Sequence, residues 1–254
     1  FIIFSCTKTV YSQNINYTPL ITNADIINKV IDLTKPLGSV TGNASVSNSG
    51  ASNYNIPIAT PASTNGLSPA ISINYNSLSG NGIVGYGWNI EGLSMISRSA
   101  KNMYYNNKVE PISLDTDDPL NLDGNPLVLL SGTNGVANSS YGTEMENFAS
   151  IKAVSAGGSD IWFRVQTKEG NSLEFGNSAD SRVVGANGRT LFWKVNKMSD
   201  NVGNYIEFKY VKVDFESFIS EINFTGNLNA GLLPYNKLSF TYLNRNDKNK
   251  LYVG

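Results

Sequence analysis

Carboxylates carry most of the chemistry this chain could do. The sequence has 254 residues and no histidine. That removes Ser-His-Asp and Cys-His catalysis, histidine-ligated zinc and haem, and the commonest general base. A single cysteine, Cys6, allows neither an internal disulfide nor a CxxC metal site. Three sets of acids remain. Glu144-Met145-Glu146 has the Glu-x-Glu spacing of the catalytic loop in ADP-ribosyltransferases. That chemistry also needs an upstream arginine strand and a Ser-Thr-Ser-type strand. Arg98 is the only arginine before Glu144, and no Ser-Thr-Ser stands between them; a glutamate pair on a strand face is ordinarily solvated. Asp115, Asp117, Asp118 and Asp123 fall within nine positions, beside Gly124 and Asn125. Such oxygen-rich loops can hold Ca2+. The spacing is not that of the D-x-D-x-D-G loop and Pro119 interrupts it, so the stretch reads as an acidic, solvated loop. Asp160 with Glu169, or Glu174 with Glu207, could pair as glycosidase carboxylates, but nothing marks a sugar cleft. Tyr104, Tyr105 and Trp162 could stack on carbohydrate and suit strand packing better. The glycines from Gly80 to Gly87 make a loose G-x-x-G-x-G, but Trp88-Asn89-Ile90-Glu91-Gly92 is no helix start, so no phosphate cradle is expected.

The composition narrows the class further. Lys plus Arg number 19 and Asp plus Glu 20, so no basic excess stands ready to neutralise phosphates and nucleic acid is not an expected partner. Charged residues are only 15% of the chain, against about 25% in ordinary soluble domains. Asn and Ser, about a quarter of the residues, supply the polarity instead. No cofactor is implied.

The elements that must hold these residues are short strands. Ile71, Ile73 and Tyr75 alternate with Ser72 and Asn74, the period of a half-buried strand. Ile161 to Val165, Ser172 to Phe175, Leu191 to Val195, Tyr205 to Val211, Ile219 to Phe224 and Lys237 to Tyr242 read likewise. Gly/Asn-rich turns separate them, notably Asn76 to Gly82, Glu169-Gly170-Asn171 and Asp200 to Asn204. The pattern is all-β, with many short antiparallel strands. Residues 24–31 have helix-like spacing but enough β-branched content to suit a strand equally. No stretch after the N-terminus approaches the ~18 apolar residues of a membrane span. The start, Phe1 to Cys6, reads as the tail of a signal peptide, with cleavage after Ser12. Residues 13–53 read as an N-terminal extension and linker, and 54–254 as one β domain, incomplete at its C-terminus.

One ordered string is more specific. Ile56-Pro57-Ile58 leads through Pro61 to Gly66-Leu67-Ser68-Pro69, then Ile71 to Ser77. Gly80-Asn81-Gly82, Gly85-Tyr86-Gly87-Trp88, Gly92-Leu93-Ser94 and Ile96-Ser97-Arg98 follow. This string resembles the opening of the SpvB-type N-terminal region, shared by virulence-plasmid B proteins and the B components of insecticidal toxin complexes, relatives of the Rhs proteins. Leu122-Asp123-Gly124 with Leu127 is similar to the family's next block. So are Phe163-Arg164-Val165 with Lys168-Glu169-Gly170 and Phe175-Gly176, and Trp193 with Asp200, Gly203-Asn204, Ile206 and Tyr210.

The resemblance implies a secreted, non-enzymatic structural module of a toxin-like polypeptide. It would build part of a β-rich shell that carries or presents a C-terminal effector. Its partners would be other parts of the same polypeptide or toxin-complex subunits. Some family members carry an ADP-ribosyltransferase at the far C-terminal end; Tyr141 to Ile151 here resembles N-terminal scaffold instead. The residues implied to matter are structural: Pro69, Tyr75, Gly80, Gly82, Gly87, Trp88, Gly92, Arg98, Gly203 and Asn204. The glycines suit tight turns and close backbone approach, and Trp88 reads as a buried residue sealing a sheet corner. The alternative reading is a cell-surface module binding glycan or protein, motivated by the Asn/Ser/Tyr-rich surface.

Overall fold

The computed structural model describes residues 2–8, 42–158, 160–185, 187–243, 245 and 247. Strand takes 51% of it and helix 5%, so the all-β expectation holds. β1 (Ile2–Lys8) stands apart in sequence. Four short strands follow the undescribed stretch: β2 (Asn43–Val46), β3 (Ser52–Pro57), β4 (Ser72–Asn76) and β5 (Trp88–Glu91). Then come β6 (Met95–Arg98), β7 (Leu120–Leu122), β8 (Asn125–Ser131), β9 (Ser140–Thr143), β10 (Ser150–Gly157), β11 (Asp160–Gln166), β12 (Ser172–Phe175), β13 (Arg182–Val184) and β14 (Thr190–Ser199). β15 (Asn204–Val213), β16 (Glu216–Asn227) and β17 (Asn236–Tyr242) complete the set. The one α-helix among the described residues, α1 (Met103–Asn106), is a single turn capped by Asn102, whose Oδ1 accepts from Tyr105 N at 3.0 Å.

The strands form an eight-stranded barrel, a flange and a small separate sheet. From β6 through β12 each strand pairs antiparallel with the next. β14 then pairs with β12 on one side and with β6 on the other, which closes the ring. Closure sets Trp193 opposite Ile96 and Phe192 opposite Ser97. β14 is long enough to do two jobs: its first half pairs β6, and its second half, Lys197 to Ser199, pairs β15. From there β15, β16, β17 and β1 run outward as the flange. Between β7 and β8, Asp123 and Gly124 both have positive φ, 50° and 82°, the two-residue hairpin that the Asp-Gly pair selects.

Alternation decides which side chains fill the barrel. Ile151 and Ala153 on β10, Ile161, Phe163 and Val165 on β11, and Trp193 and Val195 on β14 are all buried in one cluster. Tyr141, Phe163 and Trp193 stack edge to face through it, at centroid distances of 6.0 and 5.1 Å. The same cluster continues under the flange as Ile206, Phe208, Tyr210, Ile219, Ile222, Phe224, Leu238 and Phe240.

The small sheet, in the order β2-β3-β4-β5, is half-exposed throughout. Its register places Tyr54, Tyr75 and Trp88 in one row and Ile56, Ile73 and Ile90 in the next, on one face. The opposite face is mainly asparagine and serine, with Pro57 and Glu91. This sheet starts at Asn43, within the stretch that the composition marks as linker. β2 carries Val46 as its one aliphatic beyond alanine, so nothing in its pattern announces a strand. Residues 2–8 form β1 on β17, from Ile2 opposite Tyr242 to Lys8 opposite Asn236. The helix-like spacing at 24–31 lies outside the described residues.

Candidate functional site

The densest set of charged contacts closes one end of the barrel. Arg98 is the last residue of β6 and lies on the same side of it as the fully buried Ile96. Its side chain therefore points inward and is 8% exposed. Arg98 Nε donates to Thr190 O at 2.9 Å, and Nη1 donates to Asp115 O. The guanidinium lies over the Trp193 ring, 5.4 Å from its centroid. Nη1 is 3.7 Å from Asp118 Oδ2. Burial pulls the Arg98 pKa down, while Asp118 and Asp115 oppose that pull.

Asp118 is completely buried. Its Oδ1 accepts from Ser113 N at 3.0 Å and Ser113 Oγ at 2.9 Å, and its Oδ2 from Asp115 N at 3.2 Å. These bonds fold residues 113–118 into a cap. Asn134 Nδ2 fastens the cap from outside by donating to Thr116 O and Asp118 O, at 2.8 and 2.9 Å. Arg189 Nη1 donates to Leu114 O at 3.1 Å. At its near edge the buried Lys101 bonds both Glu110, at 2.8 Å, and Asp117. Those bonds raise the Lys101 pKa and hold both carboxyls below their usual range.

Within the acidic stretch Asp118 is withdrawn from solvent, against what the composition suggests, while Asp117 stays exposed as expected. Asp118 and Asp117 face cations of the fold, and Asp115 Oδ1 turns back to Asp117 N at 2.8 Å. Asp123 lies apart, accepting from Met95 N and Ser94 Oγ at the β7–β8 hairpin. Among the described residues no group of three or more Cys, Asp or Glu side chains is placed to hold a metal ion.

A second constellation explains the Asp-x-x-Gly-Asn turn before β15. Asp200 Oδ1 accepts from Val202 N and Asn204 N, at 3.0 and 2.8 Å. Its Oδ2 accepts from Asn204 Nδ2 at 2.7 Å and from Asn65 Nδ2 at 3.1 Å. Burial works to raise the Asp200 pKa, but these hydrogen bonds outweigh it and hold the carboxyl below its usual range. The buried Asn204 passes the network on, its Oδ1 accepting from Asn227 Nδ2 at 2.9 Å. Gly203 has φ of 90° and sits under Asn229.

The remaining motif residues lie in or beside the small sheet. Pro69 is buried before β4. Gly92 has φ of 93°, and a Cβ there would stand 2.1 Å from Ala70 O. At Gly87, with φ of 78°, a Cβ would lie 2.6 Å from the Tyr75 ring. Gly82 is packed against Trp88 O, whereas Gly80 faces open space, so nothing around it demands glycine. Trp88 packs on Tyr75, with centroids 5.2 Å apart, but is only half-buried. The indole that seals buried structure is Trp193, 1% exposed, with Nε1 donating to Ile161 O at 2.8 Å.

The other candidate acids do not converge. Glu144 accepts from Tyr105 Oη at 2.8 Å, and Glu146 caps the Phe148 backbone at 2.6 Å, both at the surface. Asp160 pairs with Arg182 at 3.2 Å, and Glu174 accepts from Asn177 Nδ2 at 2.7 Å. Glu169 pairs loosely with Lys168, and Glu207 stands opposite Lys197. Trp162 is buried under Arg164, which leaves Tyr104 and Tyr105 as the exposed aromatic pair. No helix among the described residues is long and apolar enough to cross a membrane.

Known proteins give this geometry a context. No curated protein sequence matches the chain. Among solved structures, that of TcdB2-TccC3 superposes with a TM-score of 0.59 at 18% identity, over 77% of this chain and 11% of that one. The Photorhabdus luminescens Tc holotoxin pore gives 0.59 at 17%, over 77% and 10%. The N-terminal domain of the effector protein SpvB from Salmonella typhimurium strain LT2 gives 0.54 at 18%, over 66% and 63%. The chain therefore shares their fold and spans about a tenth of the toxin-complex chains. The family described as SpvB, Salmonella virulence plasmid 65kDa B protein, matches residues 46–231, well over half the sequence and inclusive of the barrel and most of the small sheet. On that match the chain belongs to the SpvB family.

Proposed function

We propose that this chain is a non-enzymatic structural module of a secreted, toxin-like polypeptide, forming part of a β-rich shell that carries or presents a C-terminal effector. The observation that carries the reading is the closed barrel end. The buried Arg98, Lys101 and Asp118 there, with the exposed Asp117, bind one another and the backbone. Aromatic side chains fill the interior behind them. A barrel so plugged suits a wall element better than a catalytic cleft. The similar solved structures, of a toxin complex and of an effector protein, support the wider setting. The partners are then other parts of the same polypeptide or toxin-complex subunits.

Export by a leader ending at Ser12 belongs to the same proposal. Cleavage there would take β1 away and leave β17 as an open edge, a surface on which a further strand of a shell can pair. Expression of the full reading frame in an exporting host, followed by N-terminal sequencing and particle imaging, tests both parts. A mature N-terminus at Gln13 and a barrel built into a larger wall are expected. A barrel tethered loosely outside any shell would overturn the structural reading, and an intact N-terminus the leader.

A further inference from the structure

One face of the small sheet is an array of side-chain amides. The register sets Asn43 opposite Asn55, Asn55 opposite Asn74, and Asn74 opposite Asn89, so a single asparagine row crosses all four strands. Neighbouring strands lie about 4.8 Å apart, so the row is roughly 14 Å long. The middle is held in place: Asn55 Nδ2 donates to Ser72 Oγ at 2.8 Å, and Asn55 and Asn74 both donate to Glu91. Both ends face solvent, with the Asn89 side chain lying over Gly82. Asn43 and Asn89 are exposed, and among the described residues neither side-chain amide has a hydrogen-bond partner. The aromatic and isoleucine side chains are on the opposite face, and Pro57 stands beside the row on this one, opposite Ser72.

We infer that this face binds a linear, neutral oligosaccharide laid along the asparagine row. Each amide offers donors and an acceptor in one plane, which matches hydroxyl groups that both donate and accept. The row itself carries no charge. Glu91 is the one charged side chain on the strands of this face, and Arg245, bonded to Gly82 O beside the Asn89 end, is paired with Asp247, so the strands offer a phosphate or sulfate no cation. A peptide strand would seek backbone groups at a sheet edge, not an amide-covered face. A flat row with a fixed centre and free ends fits an extended ligand several sugar units long. This site is independent of the shell reading, since a wall element can present it on its outer surface.

Titration of the intact chain with cellohexaose, maltohexaose and chitohexaose, read by calorimetry and by the amide side-chain signals in NMR, tests the inference, with heparin hexasaccharide as the charged control. At least one neutral hexaose should bind with heparin inert. Asn89→Ala and Asn43→Ser, both at exposed ends, should each weaken binding about three- to tenfold, while Val211→Ala on β15 leaves it unchanged. Asn74→Asp should weaken it further by placing a second carboxylate beside Glu91. Circular dichroism identifies any variant that fails to fold, and the two end variants decide the matter if Asn74→Asp does. Absence of binding to every neutral hexaose, tighter binding of heparin, or equal affinity in wild type and both end variants would overturn the proposal.

Discussion

Replacing Arg98 by methionine keeps most of the side-chain volume and removes the charge that the barrel end is built around. Asp118 would stay completely buried with its three hydrogen bonds from Ser113 and Asp115, but without a facing cation. Thr190 O and Asp115 O would lose their donors. Removing one member of a buried charge pair costs about 3–5 kcal/mol, because the survivor is left uncompensated. For a chain of this size that is a fall in Tm of roughly 6–20 °C, a large part of a total stability of about 5–15 kcal/mol. Urea unfolding followed by tryptophan fluorescence is the natural assay, since the guanidinium lies over Trp193. Asp118→Asn removes the orphaned charge and keeps an acceptor for Ser113. The double variant should therefore lose less than the sum of the singles, by about 0.5–3 kcal/mol. A loss below ~1 kcal/mol for Arg98→Met, or strict additivity in the cycle, would refute the argument that this pair seals the barrel.

Further outcomes follow from single contacts. Trp193→Ala should cost about 3–5 kcal/mol, and the half-buried Trp88→Ala no more than about half of that, by the same unfolding curves; equal losses would mean the small sheet is packed more deeply than its exposure indicates. Gly92→Ala must place a Cβ against Ala70 O with φ near 93°, at a strain cost of about 1–3 kcal/mol, whereas Gly80→Ala meets open space and should stay within about 0.5 kcal/mol of wild type. Asp200 has its pKa lowered on folding, so it adds stability above its unfolded value and loses it as pH falls through the folded one. The unfolding midpoint should drop on acidification below about pH 4, and Asp200→Asn should flatten part of that slope; an unchanged slope rules Asp200 out as a contributor.

Much of the strand layout is local and could be read from alternation. β14, β15, β16 and β17 bury alternate side chains, so their residues alternate in type as the pleat requires, while β11 also buries Trp162 on its other face and β12 buries only Phe175. β8 lacks that signal because Pro126 to Leu130 is continuously apolar, a run that marks no face. β2 lacks it because it buries nothing. Barrel closure is invisible for a different reason. It rests on β6 meeting β14, about a hundred positions away, and no local period encodes a partner at that range. The asparagine row has the same character. Asn55, Asn74 and Asn89 alternate plainly with apolar neighbours, but only the register sets them, with Asn43, into a row.

The low charge content changes meaning once its places are known. A chain that is only 15% charged has few charges to place, and two of its cations, Arg98 and Lys101, are buried. Both are held by the acidic stretch 110–118, which composition alone assigns to solvent. The error has a physical origin. Acids are solvated by default because burying one is costly, and the default fails where a cation from a distant strand is delivered to the same spot. Here β6 delivers Arg98, and its inward direction follows from sharing a strand face with Ile96. Arg98 belongs to the string that carries the family resemblance, so that string marks a buried charge whose partner no local pattern reveals. By the same logic the histidine-free composition is no handicap: the barrel end is closed by carboxylates set against Arg98 and Lys101, and no imidazole takes part in it.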